Sequence, residues 1–317
     1  MKVFSSLDDV RAAAERIRSY IHKTPVMTCS SIDDLIGGRI FFKCENFQKM
    51  GAFKFRGASN AVFSLTDKEC GKGVATHSSG NHAAALSRAA QIRGIKAIIV
   101  MPTTAPSVKK AAVERCGAQI VLCEPTQKAR QDTLDHIARE TGATVVHPYN
   151  DERVIAGQGT AALELTSEIP DLDIITAPVS GGGLLSGTAI AAKETHPRIS
   201  VLGTEPAGAD DAHRSLKLGK IVLCEHPQTI ADGLRMSLGE KTFPIIQKYV
   251  DDILTVSEEG IIQGMKLVWE RMKIVIEPSA AVPVAALFEH KAIFSGKRIG
   301  VILSGGNVDL DHLPWSK

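Results

Sequence analysis

The chain alternates between short apolar runs and longer amphipathic stretches over most of its length. The apolar runs at 97–101 (AIIVM) and 120–123 (IVLC) are continuous, which is typical of strands that helices cover on both faces. Between such runs, apolar residues recur every three or four positions, the period of an amphipathic helix. This alternation predicts an α/β protein with largely parallel sheets flanked by helices.

The same pattern places individual elements. An amphipathic helix is predicted over 6–21, with a serine cap, and Thr24-Pro25 ends it because proline disfavours a helical conformation in the preceding residue. Strands are predicted at 39–44, 73–77, 97–101, 119–123, 144–147, 173–179, 200–205, 253–256 and 298–303. Helices are predicted at 80–92, 107–116, 129–141, 155–168, 183–195, 211–218, 259–272 and 279–288.

Composition and charge narrow the class of protein. The 317 residues are 44% hydrophobic and 23% charged, with a net charge of +2, so a large core is expected and neither nucleic acid nor an anionic membrane is indicated. No apolar stretch reaches the roughly 18 residues that span a bilayer, and the amino end lacks a signal-peptide core. Six cysteines without a Cys-x-x-Cys pair favour a reducing compartment. A cytoplasmic protein is predicted.

Lys54 is the first candidate for chemistry. It lies between Phe53 and Phe55, just before a run at 58–65 with a helical pattern. A lysine amine with its ordinary pKa of about 10.4 is protonated at neutral pH. Among aromatic rings the neutral amine is favoured, and it can then condense with an aldehyde. A single lysine is more often a solvated surface residue, so a second signal is needed.

A glycine-rich loop far along the chain supplies that signal. The segment 176–187 (TAPVSGGGLLSG) follows an apolar strand and opens a helix, with Gly181, Gly182 and Gly183 at the turn. Backbone N–H groups in such a turn converge on an anion at the helix N-terminus. A cofactor that carries both an aldehyde and a phosphate needs both features, and pyridoxal phosphate is such a molecule.

Three small, hydroxyl-rich loops follow predicted strands: 78–82, 180–183 and 304–307. Ligands bind beyond the carboxyl ends of parallel strands, so the three loops are expected to meet at one site. The alternative is three unrelated helix caps, since Ser and Gly are common there. Their combination with Lys54 favours the common site.

Acidic and imidazole side chains are the candidate metal ligands of the chain. Glu205, Asp210 and Asp211 follow another strand and offer the oxygen ligands that Mg²⁺ or Ca²⁺ prefers. The residues alone favour a solvated helix start, where acids interact well with the helix dipole. His77, His82 and His147 lack the ligand spacing with cysteine, which favours hydrogen-bonded residues near the core.

Several motifs resemble one known group. Together they resemble the serine racemases, within the threonine-dehydratase group of fold-type II pyridoxal-phosphate enzymes. The resemblance covers nearly the whole chain. The motifs are 47–58 (FQKMGAFKFRGA), 76–82 (THSSGNH), 155–160 (IAGQGT), 230–233 (IADG), 268–272 (VWERM) and 303–309 (LSGGNVD).

The resemblance implies an architecture. It implies two open, twisted, mostly parallel sheets flanked by helices. The large domain would comprise 1–68 and 149–317, and the small domain would be 74–148. It also implies a homodimer.

The resemblance further implies roles for individual residues. Lys54 would hold the cofactor and act as the base on one face of the substrate's α-carbon, and Ser79 would be the acid or base on the other face. Phe53 and Gly233 would pack against the cofactor ring. The remaining cofactor contacts would come from Asn81, Gly181, Gly182, Gly183, Leu184 and Ser304. The substrate carboxylate would be held by Ser78, Ser79, His82 and Arg130.

Two further sites are implied. Glu205, the carbonyl of Ala209 and Asp211 match a divalent-cation site for Mg²⁺, Ca²⁺ or Mn²⁺, which reverses the preference from the residues alone. ATP is a candidate allosteric activator. The nucleotide-binding pattern is retained at Ser30, Ser31, Lys49 and Asn307, but Ala84 and Cys116 replace a glutamine and a tyrosine.

The activity implied is interconversion of L- and D-serine, with β-elimination of serine to pyruvate and ammonia. Ser304 opposite the pyridine nitrogen would make the ring a weaker electron sink than an aspartate would. Tyr149 and Met236 replace an expected asparagine and serine, which leaves threo-3-hydroxyaspartate ammonia-lyase and L-serine/L-threonine dehydratase as alternatives. A non-catalytic amino-acid-binding protein is a remoter alternative. A dehydrogenase is disfavoured because no Gly-x-Gly-x-x-Gly follows the first predicted strand.

Overall fold

The computed structural model describes residues 5–315, in which the strands form two sheets. Residues 1–4 and 316–317 of the predicted large domain lie outside this described part, as does most of the amino end interpreted above. The strands are β1 (Val26–Met27), β2 (Arg39–Cys44), β3 (Val74–His77), β4 (Ala97–Pro102), β5 (Gln119–Cys123), β6 (Thr144–Val145), β7 (Ile174–Pro178), β8 (Ser200–Pro206), β9 (Asp252–Val256) and β10 (Arg298–Leu303).

Helices cover both sheets, and none in residues 5–315 is long and apolar enough to cross a membrane. Short 3₁₀ helices occupy several loops, among them Glu45–Phe47, Lys49–Gly51, Ala207–Ala209 and Asp232–Leu234. The α-helices are α1 (Leu7–Ile17), α2 (Ser30–Ile36), α3 (Lys54–Phe63), α4 (Asp67–Cys70), α5 (Asn81–Arg93), α6 (Ser107–Glu114), α7 (Gln127–Thr141), α8 (Glu152–Glu168), α9 (Gly183–Thr195), α10 (Asp211–Leu218), α11 (Thr242–Tyr249), α12 (Glu258–Met272), α13 (Pro278–Glu289) and α14 (Lys291–Phe294).

The larger sheet has six strands in the order β1-β2-β10-β7-β8-β9. All neighbours are parallel except β1, which pairs antiparallel with β2. Strand β10 lies between β2 and β7, and its Leu303 pairs with Cys44 of β2. The carboxyl end of the described chain is therefore built into a sheet that begins near the amino end.

The smaller sheet has four strands in the order β5-β4-β3-β6, all parallel. Its strands come from one continuous segment, 74–145. The two sheets have the open, mostly parallel form that was expected for the fold class. The boundaries of the domains, at 74–148 and on either side of it, stay a prediction.

Most strands of the two sheets are buried on both faces, as the continuous apolar runs predicted, but the edge strand β5 is not. Consecutive side chains of a strand point to opposite faces, and Phe41 and Phe42 of β2 accordingly belong to two separate apolar clusters. In β4 of the smaller sheet, Ile99 and Val100 are likewise divided between two clusters. This confirms the prediction of a strand covered on each side for the run at 97–101. The same prediction is wrong for the run at 120–123, because β5 lies at the sheet edge and Leu122 is 52% exposed.

Helix α3, which begins at Lys54, is held by a buried ionic network. Arg56 is fully buried, and its guanidinium donates to the carboxylates of Glu45 and Glu164 at 2.7–2.8 Å. Lys43 also donates to Glu164, at 2.6 Å. Two cations and two carboxylates thus balance inside the protein, and they join β2, α3 and α8.

The observed elements differ from the predicted ones mainly at their ends. Helix α1 begins after the predicted Ser6 cap, whose hydroxyl accepts from the N–H of Asp9, but it ends at Ile17 rather than at residue 21. The strand predicted at 144–147 shortens to Thr144–Val145, because only two residues of β3 pair with it. The short elements β1 and α2 were not predicted.

Candidate active site

Lys54 is placed by the loop that connects β2 to α3. The N–H of Phe53 donates to the carbonyl of Ser304 at 3.0 Å, and Ala52 forms an isolated bridge with Gly305. These contacts tie the start of α3 to the loop after β10. Lys54 is therefore fixed at the carboxyl edge of the larger sheet, where ligands of parallel sheets bind.

The amine of Lys54 has the environment expected of a nucleophile. Its Nζ donates to the carbonyl of Pro148 at 2.8 Å and lies 5.1 Å from the centre of the Phe53 ring. Burial lowers the pKa of the amine to about 8, while the nearby Glu277 carboxylate opposes that shift. A substantial fraction of the amine is therefore neutral at a pH near 8.

The glycine-rich loop follows β7 and leads into α9. Gly182 has φ +86°, and α9 begins at Gly183 without any side-chain cap, so its first N–H groups can serve an anion. A Cβ added at Gly181 would lie 2.2 Å from Cγ of Tyr149. Ser180, which precedes the three glycines, is held by its side chain: the hydroxyl lies 3.3 Å from both the N–H and the carbonyl of Met236.

The loop 78–82 follows β3 and opens α5. The hydroxyl of Ser78 accepts from the N–H of Gly80 at 3.3 Å. Ser79 is half-buried and borders the cavity. The side-chain nitrogen of Asn81 donates to the carboxylate of Glu277 at 2.9 and 3.1 Å. Loops from the two sheets therefore meet here.

His82 and Arg130 both have polar atoms without partners among the described residues. His82 is buried, with Nε2 lying 3.1 Å from the carbonyl of Val146 and Nδ1 unpaired. Burial, and then the charge of Lys54, lower its pKa to about 3, so the ring is neutral. The Nε of Arg130 is likewise buried and unpaired, which leaves a guanidinium beside the cavity for an anion.

Every predicted cofactor- and substrate-binding residue borders a single cavity of about 240 Å³. The cavity lies where the carboxyl ends of β3, β7 and β10 meet. The predicted residues around it are Phe53, Lys54, Ser78, Ser79, Asn81, His82, Arg130, Gly181, Gly182, Gly183, Leu184, Gly233 and Ser304. Their roles stay predictions, but the structure brings them together.

Several residues around the cavity were missed by sequence reasoning. Glu277 and Ser279, at the start of α13, border it, and the Ser279 hydroxyl accepts from the N–H of Gly233 at 3.1 Å. Lys109 pairs with Asp232 at 2.9 Å across the same cavity. None of these residues lies in a loop directly after a strand. The pattern of small, hydroxyl-rich loops after predicted strands, which identified the other residues, therefore could not identify these.

The predicted cation ligands lie apart from the cavity. Burial raises the pKa of Glu205 to about 8 and that of Asp211 to about 6. The carboxylate of Glu205 accepts from the N–H of His213 at 2.6 Å, whereas Oδ2 of Asp211 is buried without a partner.

Glu205 and Asp211 are both 2% exposed, so the solvation expected from the residues alone is wrong for these two side chains, although Asp211 does lie in the first turn of α10. The cation site itself stays a prediction. No group of three or more His, Cys, Asp or Glu residues in the described part could hold a metal, so a cation here would need the carbonyl of Ala209 as well. A buried pair of carboxylates with an unpaired oxygen fits a divalent cation.

The fold and the cavity define a class of protein. Residues 17–305 match the family model of the pyridoxal-phosphate dependent enzymes, and the chain belongs to that family. Pyridoxal phosphate is the cofactor of this family. The chain has the fold-type II arrangement of two mostly parallel sheets described above.

Particular relatives are racemases and dehydratases. The chain is 50% identical to the β-hydroxyaspartate dehydratase of Paracoccus denitrificans, over 98% of both chains. It is 50% identical to the serine racemase of Dictyostelium discoideum, over 97% of this chain and 96% of that one. The structure of maize serine racemase superposes with a TM-score of 0.95 at 46% identity, over 98% of this chain and 95% of that one.

The residues around the cavity fit the cofactor. Lys54 offers an amine of lowered pKa, and the uncapped start of α9 offers N–H groups for a phosphate. The buried hydroxyl of Ser304 borders the same space. An aldehyde, a phosphate and a ring nitrogen would each meet a suitable group.

Proposed function

We propose that this protein interconverts L-serine and D-serine and also converts serine to pyruvate and ammonia. The observation that carries the proposal is the position of Lys54 and Ser79 around one cavity. Lys54 begins a helix beside the larger sheet, and Ser79 lies in a loop of the smaller sheet. Groups that approach from different sheets can reach opposite faces of one carbon atom.

Inversion at the α-carbon requires two such groups. When bound, pyridoxal phosphate would accept the electron pair that the departing α-proton leaves behind. Lys54 would remove the proton from one face, and Ser79 would return a proton to the other. A single base would return the proton to the face it left, so racemisation would not occur.

The substrate carboxylate has a place among the unpaired groups. The guanidinium of Arg130 and the hydroxyls of Ser78 and Ser79 border the cavity, and Arg130 Nε has no other partner among the described residues. A charge-assisted hydrogen bond from Arg130 would orient the substrate. Neutral His82 would add a hydrogen-bonding nitrogen without a competing charge.

Elimination would compete with inversion at the same site. If the β-hydroxyl leaves before Ser79 returns a proton, water is lost, and hydrolysis then yields pyruvate and ammonia. With the hydroxyl of Ser304 at the ring nitrogen, the ring would be a weaker electron sink than with an acid there. A weaker sink would favour a division between inversion and elimination.

A second candidate is elimination from threo-3-hydroxyaspartate. Two cations, Arg130 and Lys109, border the cavity. A substrate with two carboxylates could be held there if Lys109 exchanged its partner Asp232 for the second carboxylate. Met236 also stands where the resemblance expects a substrate-side serine. The identity to the β-hydroxyaspartate dehydratase supports this candidate too.

Five further properties belong to the proposal. Glu205, the carbonyl of Ala209 and Asp211 would bind a divalent cation, with Mg²⁺ as the first candidate. Residues 74–148 would form a small domain against a large domain made of 1–68 and 149–317. The protein would act as a homodimer in the cytoplasm, and ATP would be tested as an activator.

One set of assays tests the activity. The purified holoenzyme is given L-serine, D-serine, L-threonine and threo-3-hydroxyaspartate in parallel, with Mg²⁺ present. Chiral chromatography measures D-serine, and a coupled assay measures the 2-oxo acid. Formation of D-serine from L-serine is expected. Its absence, with rapid turnover of hydroxyaspartate, would establish the second candidate instead.

A further inference from the structure

Glu277 is a buried carboxylate at the edge of the cavity that the reaction described above does not use. It is 4% exposed and borders the cavity. It occupies the N-cap of α13, but its side chain makes no hydrogen bond to that helix. Burial raises its pKa to about 7. A carboxylate is costly to bury, so its partners indicate what it does.

Those partners come from two other segments. Asn81 Nδ2 donates to both carboxylate oxygens, at 2.9 Å to Oε1 and 3.1 Å to Oε2. The N–H of Asn307 donates to Oε2 at 3.2 Å. A Cβ added at Gly305 would lie 2.7 Å from Oε1. The loop after β10 therefore wraps around the carboxylate and leaves room for it only because Gly305 has no side chain.

Glu277 fixes which way the Asn81 amide points. Above a pH of about 7 Glu277 is ionised and only accepts hydrogen bonds, so the NH₂ group of Asn81 must then face it. On the other side, Asn81 Oδ1 accepts from Asn307 Nδ2 at 2.9 Å, and the same nitrogen of Asn307 donates to the carbonyl of Met50 at 2.7 Å. The amide is held from both ends. When one N–H of Asn81 is shared between the two carboxylate oxygens, the other can donate into the cavity that Asn81 borders.

The charges around Glu277 show that it does not simply neutralise a cation. Lys54, Lys109 and Asp232 are its charged neighbours, and Lys109 is already paired with Asp232 at 2.9 Å. Within residues 5–315, Glu277 makes no salt bridge of 4 Å or less. Its hydrogen bonds go to Asn81 and Asn307, and it joins the start of α5 to the start of α13.

We propose that Glu277 is a positioning residue that holds the Asn81 carboxamide with an N–H directed at the phenolic oxygen of bound pyridoxal phosphate. This inference rests on the proposed cofactor contact of Asn81. It does not depend on whether serine or hydroxyaspartate is the substrate, because its tests are read without any substrate.

The first variant is Glu277→Gln. Glutamine has a single acceptor oxygen, so an NH₂ group must replace one of the two oxygens that accept from Asn81, and the Asn81 amide is no longer held in one orientation. Fluorescence titration of the apoprotein should show a dissociation constant for pyridoxal phosphate about tenfold higher, as for one lost hydrogen bond. The visible absorption band of the holoenzyme should shift. Glu289→Gln, at the far end of α13, is the control and should change neither.

A second variant separates positioning from stability. Asn81→Asp alone sets two carboxylates against each other and should lower the melting temperature of the apoprotein. In the double variant Asn81→Asp/Glu277→Gln, the glutamine donates to the introduced carboxylate and every hydrogen bond between the two is regained. The melting temperature should therefore recover. The cofactor affinity and the visible band should not, because the introduced aspartate has no side-chain N–H to donate.

Two results would overturn the inference. Glu277→Gln could retain the wild-type dissociation constant and visible band. Alternatively, the double variant could regain both along with its melting temperature, which would show that the direction of the Asn81 amide is immaterial. Neither readout involves turnover, so failure here is distinct from failure of the proposed activity.

Discussion

Arg56 and Glu45 form a two-pronged ion pair in the interior, with Nε donating to Oε2 at 2.7 Å and Nη2 donating to Oε1 at 2.8 Å. Neither side chain has any exposed surface. Arg56 lies two residues after Lys54 in the first turn of α3. The pair therefore fixes the rotation of the helix that carries the reactive amine.

Removal of the Arg56 charge should be severe. Arg56→Met leaves Glu45 without a cation, whereas Glu164 keeps Lys43, and an uncompensated buried charge costs about 3–5 kcal/mol. Urea unfolding of the apoprotein, followed by circular dichroism, measures the loss. The control is Arg11→Met, whose partner Asp8 is exposed and whose loss should cost less than about 1 kcal/mol. Equal effects for the two variants would refute the role of the buried pair.

Lys54 should react with the cofactor at a lower pH than an ordinary lysine does. Its pKa is about 8, and only the neutral amine attacks an aldehyde. The rate of reconstitution of the apoprotein should rise as pH increases through about 8 and level off above it. A rate that keeps rising to the ordinary lysine pKa of about 10.4 would contradict the burial of the amine.

The same residue can be located chemically. Borohydride reduction of the holoenzyme followed by peptide mapping should place the cofactor on the peptide that contains Lys54, and Lys54→Arg should yield no reduced adduct.

Ser79→Ala should separate the two reactions. Without a second acid or base, formation of D-serine from L-serine should fall by about 10²-fold or more, while elimination from L-serine keeps much of its rate because Lys54 still removes the α-proton. Chiral chromatography and pyruvate assays give the two rates. In D₂O the variant should still exchange the α-hydrogen of L-serine. Equal loss of both activities would show that the two-base assignment is wrong.

Gly181→Ala should weaken cofactor binding through a steric clash. The added Cβ would lie 2.2 Å from the Tyr149 ring, and overpacking of this kind costs about 1–3 kcal/mol. Thermal unfolding and cofactor titration would both report it. Gly181→Ala/Tyr149→Ala removes the obstructing ring and should regain affinity. No recovery in the double variant would place the defect in the backbone of the loop instead.

Asp211→Asn should abolish stabilisation by divalent cations. A ligand at a hundred times its dissociation constant stabilises the folded state by about 2.7 kcal/mol, so Mg²⁺ should raise the melting temperature of the wild type and a chelator should reverse the effect. Asp210→Asn is the matched control, because the carboxylate of Asp210 is turned away to Arg214 at 2.7 Å. Loss of the Mg²⁺ effect in both variants would show that the assigned ligands are wrong.

The sheets and the loops of the site could be predicted because the signals that identify them lie within short stretches of the sequence. Continuous apolar runs identify buried strands, and the small residues that follow β3, β7 and β10 lie where ligands of parallel sheets bind. Most strand bounds agree within a residue or two. The observed strand ends differ from the predicted ones where strand pairing limits the length of the strand. Thr144–Val145 is short because it pairs with only two residues of β3.

Residues whose partners are remote could not be predicted. Glu277 stands before a proline in a segment without any motif, and its partner Asn81 is 196 positions away. Arg56 is a charged residue that sequence alone would place at the surface, and its burial is explained by its ion pairs with Glu45 and the distant Glu164. The burial of Asp211 could not be predicted for the same reason, because it depends on tertiary packing.

The position of β10 between β2 and β7 bears on how the protein is made on the ribosome. Residues 74–145 supply every strand of the smaller sheet, so this sheet can close while synthesis is still under way. The strand next to Lys54 must wait for residues 298–303, and Phe53 waits for the carbonyl of Ser304. A nascent chain therefore cannot assemble its cofactor pocket until nearly the last of the described residues has emerged.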